Sequence, residues 1–229
     1  MNPMLTTVSI TICDRIRDDI VAGSLAFGSR LTLDLLAERY SVGHMPIREA
    51  LRHLQGEGLV VLTPNRGARV RVVDIEFVRN IFDLRISIEA MMARRAAEGI
   101  DKGQIARLEA IEAAYEERAQ ARDYAALLAL NRQFHSVINE AANNPEAEAV
   151  IDRHRRLIAA LWNLYGYGED RPASVIADHR YIIGALASHD GDAAAALAMA
   201  HAAKAKMELI SRMLAKERRG ARAGVSLAA

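Results

Sequence analysis

Three of the seven histidines stand in positions where they could bind a metal together. In Asn131-Arg132-Gln133-Phe134-His135, a helix sets Asn131 and His135 one turn apart on a single face. His179 and His201 follow in two later helical stretches, and an up-down bundle can bring such residues to one depth of its interior. Imidazole nitrogens and an amide oxygen are ligands for Zn²⁺, Ni²⁺ or another first-row divalent ion. Spacing alone leaves the question open. A single histidine on a helix is more often hydrogen-bonded or on the surface, and the chain has no HExxH and no Glu-x-x-His pair of the di-iron bundles.

A second set of residues lies on a short helix expected from about 44 to 56. Ile47, Ala50, Leu51 and Leu54 form one apolar face, while His44, Arg48, Arg52 and Gln55 share another side. A helix with one face in a core and long donors on another can enter a major groove, its N-terminal residues nearest the base edges. Arg48 suits guanine or phosphate and Met45 a thymine methyl. Arg66, in the turn Pro64-Asn65-Arg66-Gly67, suits a minor groove or the backbone. Any soluble amphipathic helix also has a solvated charged face, so the order of the surrounding elements must decide.

That order is informative. Ile10, Cys13, Ile16, Ile20 and Val21 recur at helical spacing. Thr32 can cap a second helix whose apolar side is Leu33, Leu36, Ala37 and Tyr40. Ser41-Val42-Gly43 is a turn before the third helix, which has Pro46 in its first turn. After Gly58, residues 59–63 and the alternating 68–72 flank turn chemistry, which reads as a hairpin. Three short helices and a hairpin describe a winged helix-turn-helix over residues 6–73. From Asp74 there is no strand signal. Six helices, near 75–98, 101–120, 123–142, 145–165, 172–188 and 190–216, imply an antiparallel bundle over 74–216. Residues 217–229 read as a frayed or disordered tail. The expected class is mainly α.

Composition adds bounds. The 229 residues favour two modest domains. Thirty basic against 29 acidic residues neither announce nor exclude a nucleic-acid binder. The lone cysteine, Cys13, excludes a disulfide within one chain and reads as a small core residue. No basic region leads into an apolar stretch, and no apolar run is long enough to span a bilayer, so the expected place is the cytoplasm, away from membranes.

The stretch from Leu33 to Val70, with LAERYSV, then MPIREALRHLQGEGLV, then PNRGARV, resembles the GntR family of bacterial regulators. The resemblance implies operator binding as a dimer, with a glycine, here Gly67, in the wing. Gly43-His44-Met45 stand where that family usually has serine-arginine-threonine. A glycine cap is weaker by a few tenths of a kcal/mol, and His44 is shorter than arginine, which puts the operator sequence in question. NRQFHSVINEAANNP resembles the signature of the helical FCD effector domain in the FadR-type branch, with further histidines in DHRYIIGAL and MAHAAKAKM. The resemblance implies a metal held by Asn131, His135, His179 and His201, most naturally Zn²⁺. Six effector helices place the chain nearest the VanR-like subgroup. Arg85, in FDLRISIEA, matches a family arginine near the pocket and can pair with a carboxylate; its alternative is a salt bridge. His154, Arg155, Asn163 and Tyr165 are secondary lining candidates.

Asn131 and three neutral imidazoles leave a divalent cation's charge uncompensated, which favours a small organic acid or other carboxylate-bearing effector. The reading that follows is a ligand-responsive, homodimeric regulator on a pseudo-palindromic operator. Its rivals are a metal sensor and a metal-dependent enzyme, the latter without an acid/base residue at recognisable spacing. A structural metal is a milder version.

Overall fold

The computed structural model describes residues 7–63 and 67–226. They form α1 (Thr7–Val21), β1 (Arg30–Leu31), α2 (Leu33–Tyr40), α3 (His44–Gly56), β2 (Val60–Thr63), β3 (Gly67–Val70), α4 (Ile75–Gly99), α5 (Lys102–Gln120), α6 (Tyr124–Ala142), α7 (Pro145–Tyr165), α8 (Arg171–Ala187) and α9 (Gly191–Ser226). The chain divides into two compact units. One reaches to Asp74 and also takes in Asp152–Leu164. The other comprises Ile75–Ile151 and the chain from Tyr165 onward.

In the first unit α1 packs on α3. Ile12, Cys13, Ile16 and Ile20 meet a core that holds Leu36, Ile47, Ala50, Leu51 and Leu54. Ile10, expected on the apolar side of α1, is 48% exposed, because the buried stripe runs through Ser9, Ile12, Cys13, Ile16 and Ile20. Thr32 caps α2 by accepting from the Leu35 N–H, and Ser41 closes it in the left-handed conformation. Gly43 precedes α3 with no side-chain cap bond, as its missing side chain dictates. β2 and β3 pair antiparallel in the expected hairpin, Val60 opposite Val70 and Thr63 opposite Gly67. The two-residue β1 adds to the far edge of β3 and gives the order β1-β3-β2. It is too short to carry a readable period.

In the second unit the expected six helices are present, with bounds within a residue or two except at the C-terminal end. α9 continues to Ser226, where fraying was expected from 217. The segment KERRGARAG is rich in helix formers, and its two glycines cost too little to stop a helix that is already propagating. The first unit runs to Asp74 and the second begins at Ile75, against a boundary read between 73 and 74 in the sequence. The 152–164 stretch of α7, expected in the bundle, instead groups with the first unit. Leu157, Ile158, Leu161 and Trp162 of this stretch are buried.

Asp101 and Gln104 form a capping box at α5, and Asp123 caps α6. α4 and α9 make the most extensive contact in the unit. One stretch of each helix buries alanine, Ala90, Ala93 and Ala97 on α4 and Ala194, Ala198, Ala202 and Ala205 on α9, while Val78, Phe82, Leu209 and Met213 are buried elsewhere along them. A larger core of Met92, Leu108, Phe134, Val137, Ile182 and Leu186 fills the space between α4, α5, α6 and α8.

Candidate metal centre and nucleic-acid interface

Three helices of the second unit deliver the three histidines to one place. His135 comes from α6, His179 from α8 and His201 from α9. One ring nitrogen from each lies within 4.8 Å of the other two. His179 and His201 are buried and His135 is partly buried. The Phe134 ring stacks flat on His179 at 3.8 Å between centroids and 3° between planes, fixing that imidazole from one side. Asn131 sits one turn before His135 and is partly buried.

The protonation pattern suits ligation. Burial drives His135 down to about 4 and His179 well below its ordinary value, so both are neutral near pH 7. The Nδ1 of His179 lies 2.7 Å from Glu112 Oε2, and the Nδ1 of His201 lies 3.2 Å from Asp178 Oδ2. When Nδ1–H donates to a carboxylate, the lone pair is left on Nε2. The buried Nε2 of His179 has no hydrogen-bond partner among the described residues. A buried polar atom in that state calls for a missing partner, and a divalent ion fits a neutral imidazole backed by a carboxylate.

Three acidic residues here were not singled out from the sequence. Glu89, on α4, is held below its ordinary value: burial opposes this, but the Arg85 charge, then His135 and His201, outweigh it. Arg85 spends two nitrogens on Glu89 Oε1, at 2.8 and 2.6 Å, and lies over the Phe82 ring. The expected anion-binding arginine is thus already engaged, in the salt bridge weighed as its alternative. Asp178 is shared between His201 and Lys204, 2.5 Å from the latter. Glu112 is only 3% exposed, and burial pushes it up to about 8, helped by Glu116 and opposed by Arg180. It shares the buried stripe of α5 with Leu108 and Tyr115, an unusual place for a carboxylate. The charge of a bound cation is therefore not wholly uncompensated. Glu89 and Asp178 are balanced by Arg85 and Lys204, so Glu112, protonated at neutral pH in the metal-free chain, is the group whose ionisation would offset a cation beside His179.

Of the secondary candidates, His154, Arg155 and Asn163 fall in the stretch grouped with the first unit. Tyr165 lines a separate open cleft of about 800 Å³ with Gly168, Arg171, Glu208 and Arg212.

On α3 of the first unit, Met45, Arg48, Arg52 and Gln55 are exposed while Ile47, Ala50, Leu51 and Leu54 are buried, as expected of a reading helix. His44 is exposed too, but its Nε2 lies 2.9 Å from Asp34 Oδ1, which ties the start of α3 to α2. Gly67 is exposed at φ +84, a conformation that favours glycine. Arg66 lies outside the described residues. Arg69, not singled out beforehand, projects from β3 and donates to the Gly28 carbonyl at 2.7 Å.

Comparison with known proteins agrees with both halves. Residues 9–70 match the bacterial regulatory proteins of the gntR family, and residues 80–204 match the FCD domain. The HTH-type transcriptional repressor RspR of Escherichia coli (strain K12) is 30% identical over 186 residues, covering 78% of each chain. The Nta operon transcriptional regulator of Aminobacter aminovorans is 28% identical over 178 residues, 77% of this chain and 82% of that one. Among solved structures, E. coli McbR/YncC superposes with a TM-score of 0.72 at 18% identity, over 91% of this chain and 99% of the other. A GntR regulator from Rhodococcus sp. RHA1 gives 0.68 at 21% identity, over 90% and 99%. Among the described residues no helix is long and apolar enough to cross a membrane. A reading helix and wing followed by a helical effector domain, matched along both, make this chain a DNA-binding transcription regulator of the GntR family, with an FCD domain.

Proposed function

We propose that the effector domain binds one divalent metal ion through His135, His179 and His201, with Asn131 as a weaker fourth ligand, and that a small carboxylate-bearing molecule completes the site. The carrying observation is the buried, partnerless Nε2 of His179 beside two other imidazoles, with Glu112 behind its ring. Zn²⁺ is the natural occupant of such a set, with Ni²⁺ or another first-row ion next. The ion would supply Lewis acidity toward an anionic oxygen. Glu112 and Asp178 orient the rings and favour the tautomer with the proton on Nδ1, which turns Nε2 to the ion. Glu112 offsets one of the two positive charges, so a monoanionic carboxylate restores neutrality. Arg85, released in part from Glu89, is the second contact for that carboxylate.

The regulator acts on a pseudo-palindromic operator as a homodimer. Leu84, Met91, Tyr181, Met199 and Met207 are exposed apolar side chains of the effector domain, and a second copy is the natural cover for them. Six effector helices, α4 to α9, support the VanR-like grouping. Elemental analysis of His135→Ala, His179→Ala and His201→Ala tests the site. Each should lose one metal equivalent, and unchanged content in all three refutes the assignment. A metal-sensing regulator is the second reading, favoured by the protein's own backing carboxylates, which already steady the ligands. Operator affinity that tracks metal concentration with no organic acid present would select it.

A further inference from the structure

The first unit holds a second constellation with metal-binding chemistry. Cys13 on α1 faces His53 and Glu57 at the end of α3, and one ligand atom from each lies within 4.8 Å of the other two. His53 and Glu57 are four residues apart, the spacing by which one helical face offers two ligands. Some point lies within about 2.8 Å of all three atoms, and the zinc–ligand distances of about 2.0–2.3 Å need only a modest contraction. His53 can supply it, because its side chain is half exposed while Cys13 is fixed in the core.

A guanidinium now holds this place. Arg17 Nη2 donates to the Cys13 sulfur at 3.2 Å and to Glu57 Oε1 at 2.6 Å, and its Nε donates to Glu57 Oε2 at 2.8 Å. His53 Nε2 approaches Glu57 Oε1 at 3.6 Å. Arg17 also contacts Asp14 through Nη1, so it has a second carboxylate to retire to. We propose that Cys13, His53 and Glu57 form a thiolate-containing site for a divalent ion such as Zn²⁺ or Co²⁺, which exchanges with the Arg17 guanidinium and clips α1 to the reading helix.

The exchange balances. Before it, Arg17 stands between the carboxylates of Glu57 and Asp14 with the thiol protonated, a net charge of one negative. After it, the dication is cancelled by the thiolate and Glu57, while Arg17 is cancelled by Asp14. One thiol proton passes to solvent. The site differs in kind from the histidine centre, which holds no sulfur, so the two can be told apart by spectroscopy.

Co²⁺ added to the full-length, metal-free protein under reducing conditions supplies the test. The wild type should take up two equivalents, with a thiolate-to-cobalt charge-transfer band in the near ultraviolet. Cys13→Ser should lose the band and one equivalent while keeping the other. His53→Ala should weaken the band-forming step at least tenfold. The His135→Ala/His179→Ala/His201→Ala protein should lose one equivalent and keep the band. Arg17→Gln, which removes the competing cation, should tighten the band-forming step severalfold. Absence of the band in folded wild type overturns the proposal, as does its survival in Cys13→Ser or a weakening in Arg17→Gln. Circular dichroism confirms folding of each variant. Failure of this site leaves the histidine centre untouched, since its equivalent is counted separately.

Discussion

Glu112→Gln should act in opposite directions on the metal-free and the metal-loaded protein. Glu112 is buried against His179, and its other oxygen, Oε1, has no partner among the described residues. Its pKa of about 8 stands against an ordinary glutamate value of 4.5. The folded chain therefore favours the protonated acid, and this preference costs stability as pH rises from about 4.5, where the unfolded carboxyl ionises, toward 8. At pH 7 the cost is about 3 kcal/mol, from 1.36 kcal/mol per pH unit. Glutamine is neutral at every pH and keeps an acceptor for the His179 Nδ1–H. The metal-free variant should match wild type near pH 4.5 and exceed it by up to about 3 kcal/mol at pH 7, measured by urea unfolding across pH. Metal binding needs the carboxylate behind the ring, so the variant should bind Zn²⁺ about 10–100-fold more weakly, measured by competition with a chromophoric chelator. A stability gap that is flat in pH would show that Glu112 is ionised in the metal-free fold. Unchanged zinc affinity would show that His179 is not a ligand. Either result breaks the reasoning.

Arg48→Ala should weaken operator binding by about 1–3 kcal/mol with unchanged thermal stability, because the side chain is exposed. Arg66→Ala should chiefly flatten the salt dependence, and electrophoretic titrations at several salt concentrations check both. Asn131→Asp should raise zinc affinity and lower affinity for a monocarboxylate, since the added charge serves the cation and repels the anion; calorimetry that finds both weakened removes Asn131 from the site. Tyr40→Phe deletes a 2.7 Å bond to Asp19, whose pKa is held down by Tyr40 and Arg39 against burial. The loss should be about 1.5–3 kcal/mol at neutral pH and should shrink as pH falls below about 4, where Asp19 is protonated in the unfolded and then in the folded chain; a pH-independent loss would exclude this origin.

The elements that position the site were legible because their signals are local. Thr32, Asp101, Asp123 and Gly58 punctuate the chain through their own backbone or side-chain chemistry, and α3 wears its two faces openly. The three histidines could be named only through resemblance, since nothing in their spacing says that α6, α8 and α9 meet. Glu89 and Glu112 were not read because each meets the histidines only in the tertiary structure, Glu89 through its electrostatic influence on His135 and His201, Glu112 through a bond to His179 at a separation of 67 residues. β1 escaped for the complementary reason, having two residues and therefore no period. The end of α9 was misread because glycine and charge were taken as breakers, although neither costs enough to stop a helix already propagating.

The alanines buried along α4 and α9 bear on how the two helices could shift against each other. An alanine side chain ends at Cβ and has no rotamer to change, so a seam of them cannot absorb a displacement by rearranging side chains. It also buries little apolar area per residue, so sliding one helix body over the other by 1–2 Å forfeits little of the hydrophobic stabilisation. His201 is carried on α9 within this seam, and Glu89 lies on α4 beside Ala90. A metal that displaced His201 would act on a whole rod, since α9 is 36 residues long, about 54 Å at 1.5 Å per residue. A leucine-rich seam of the same length would hold the two helices in one register and dissipate the pull locally. An alanine seam would instead pass a displacement along the helix axis.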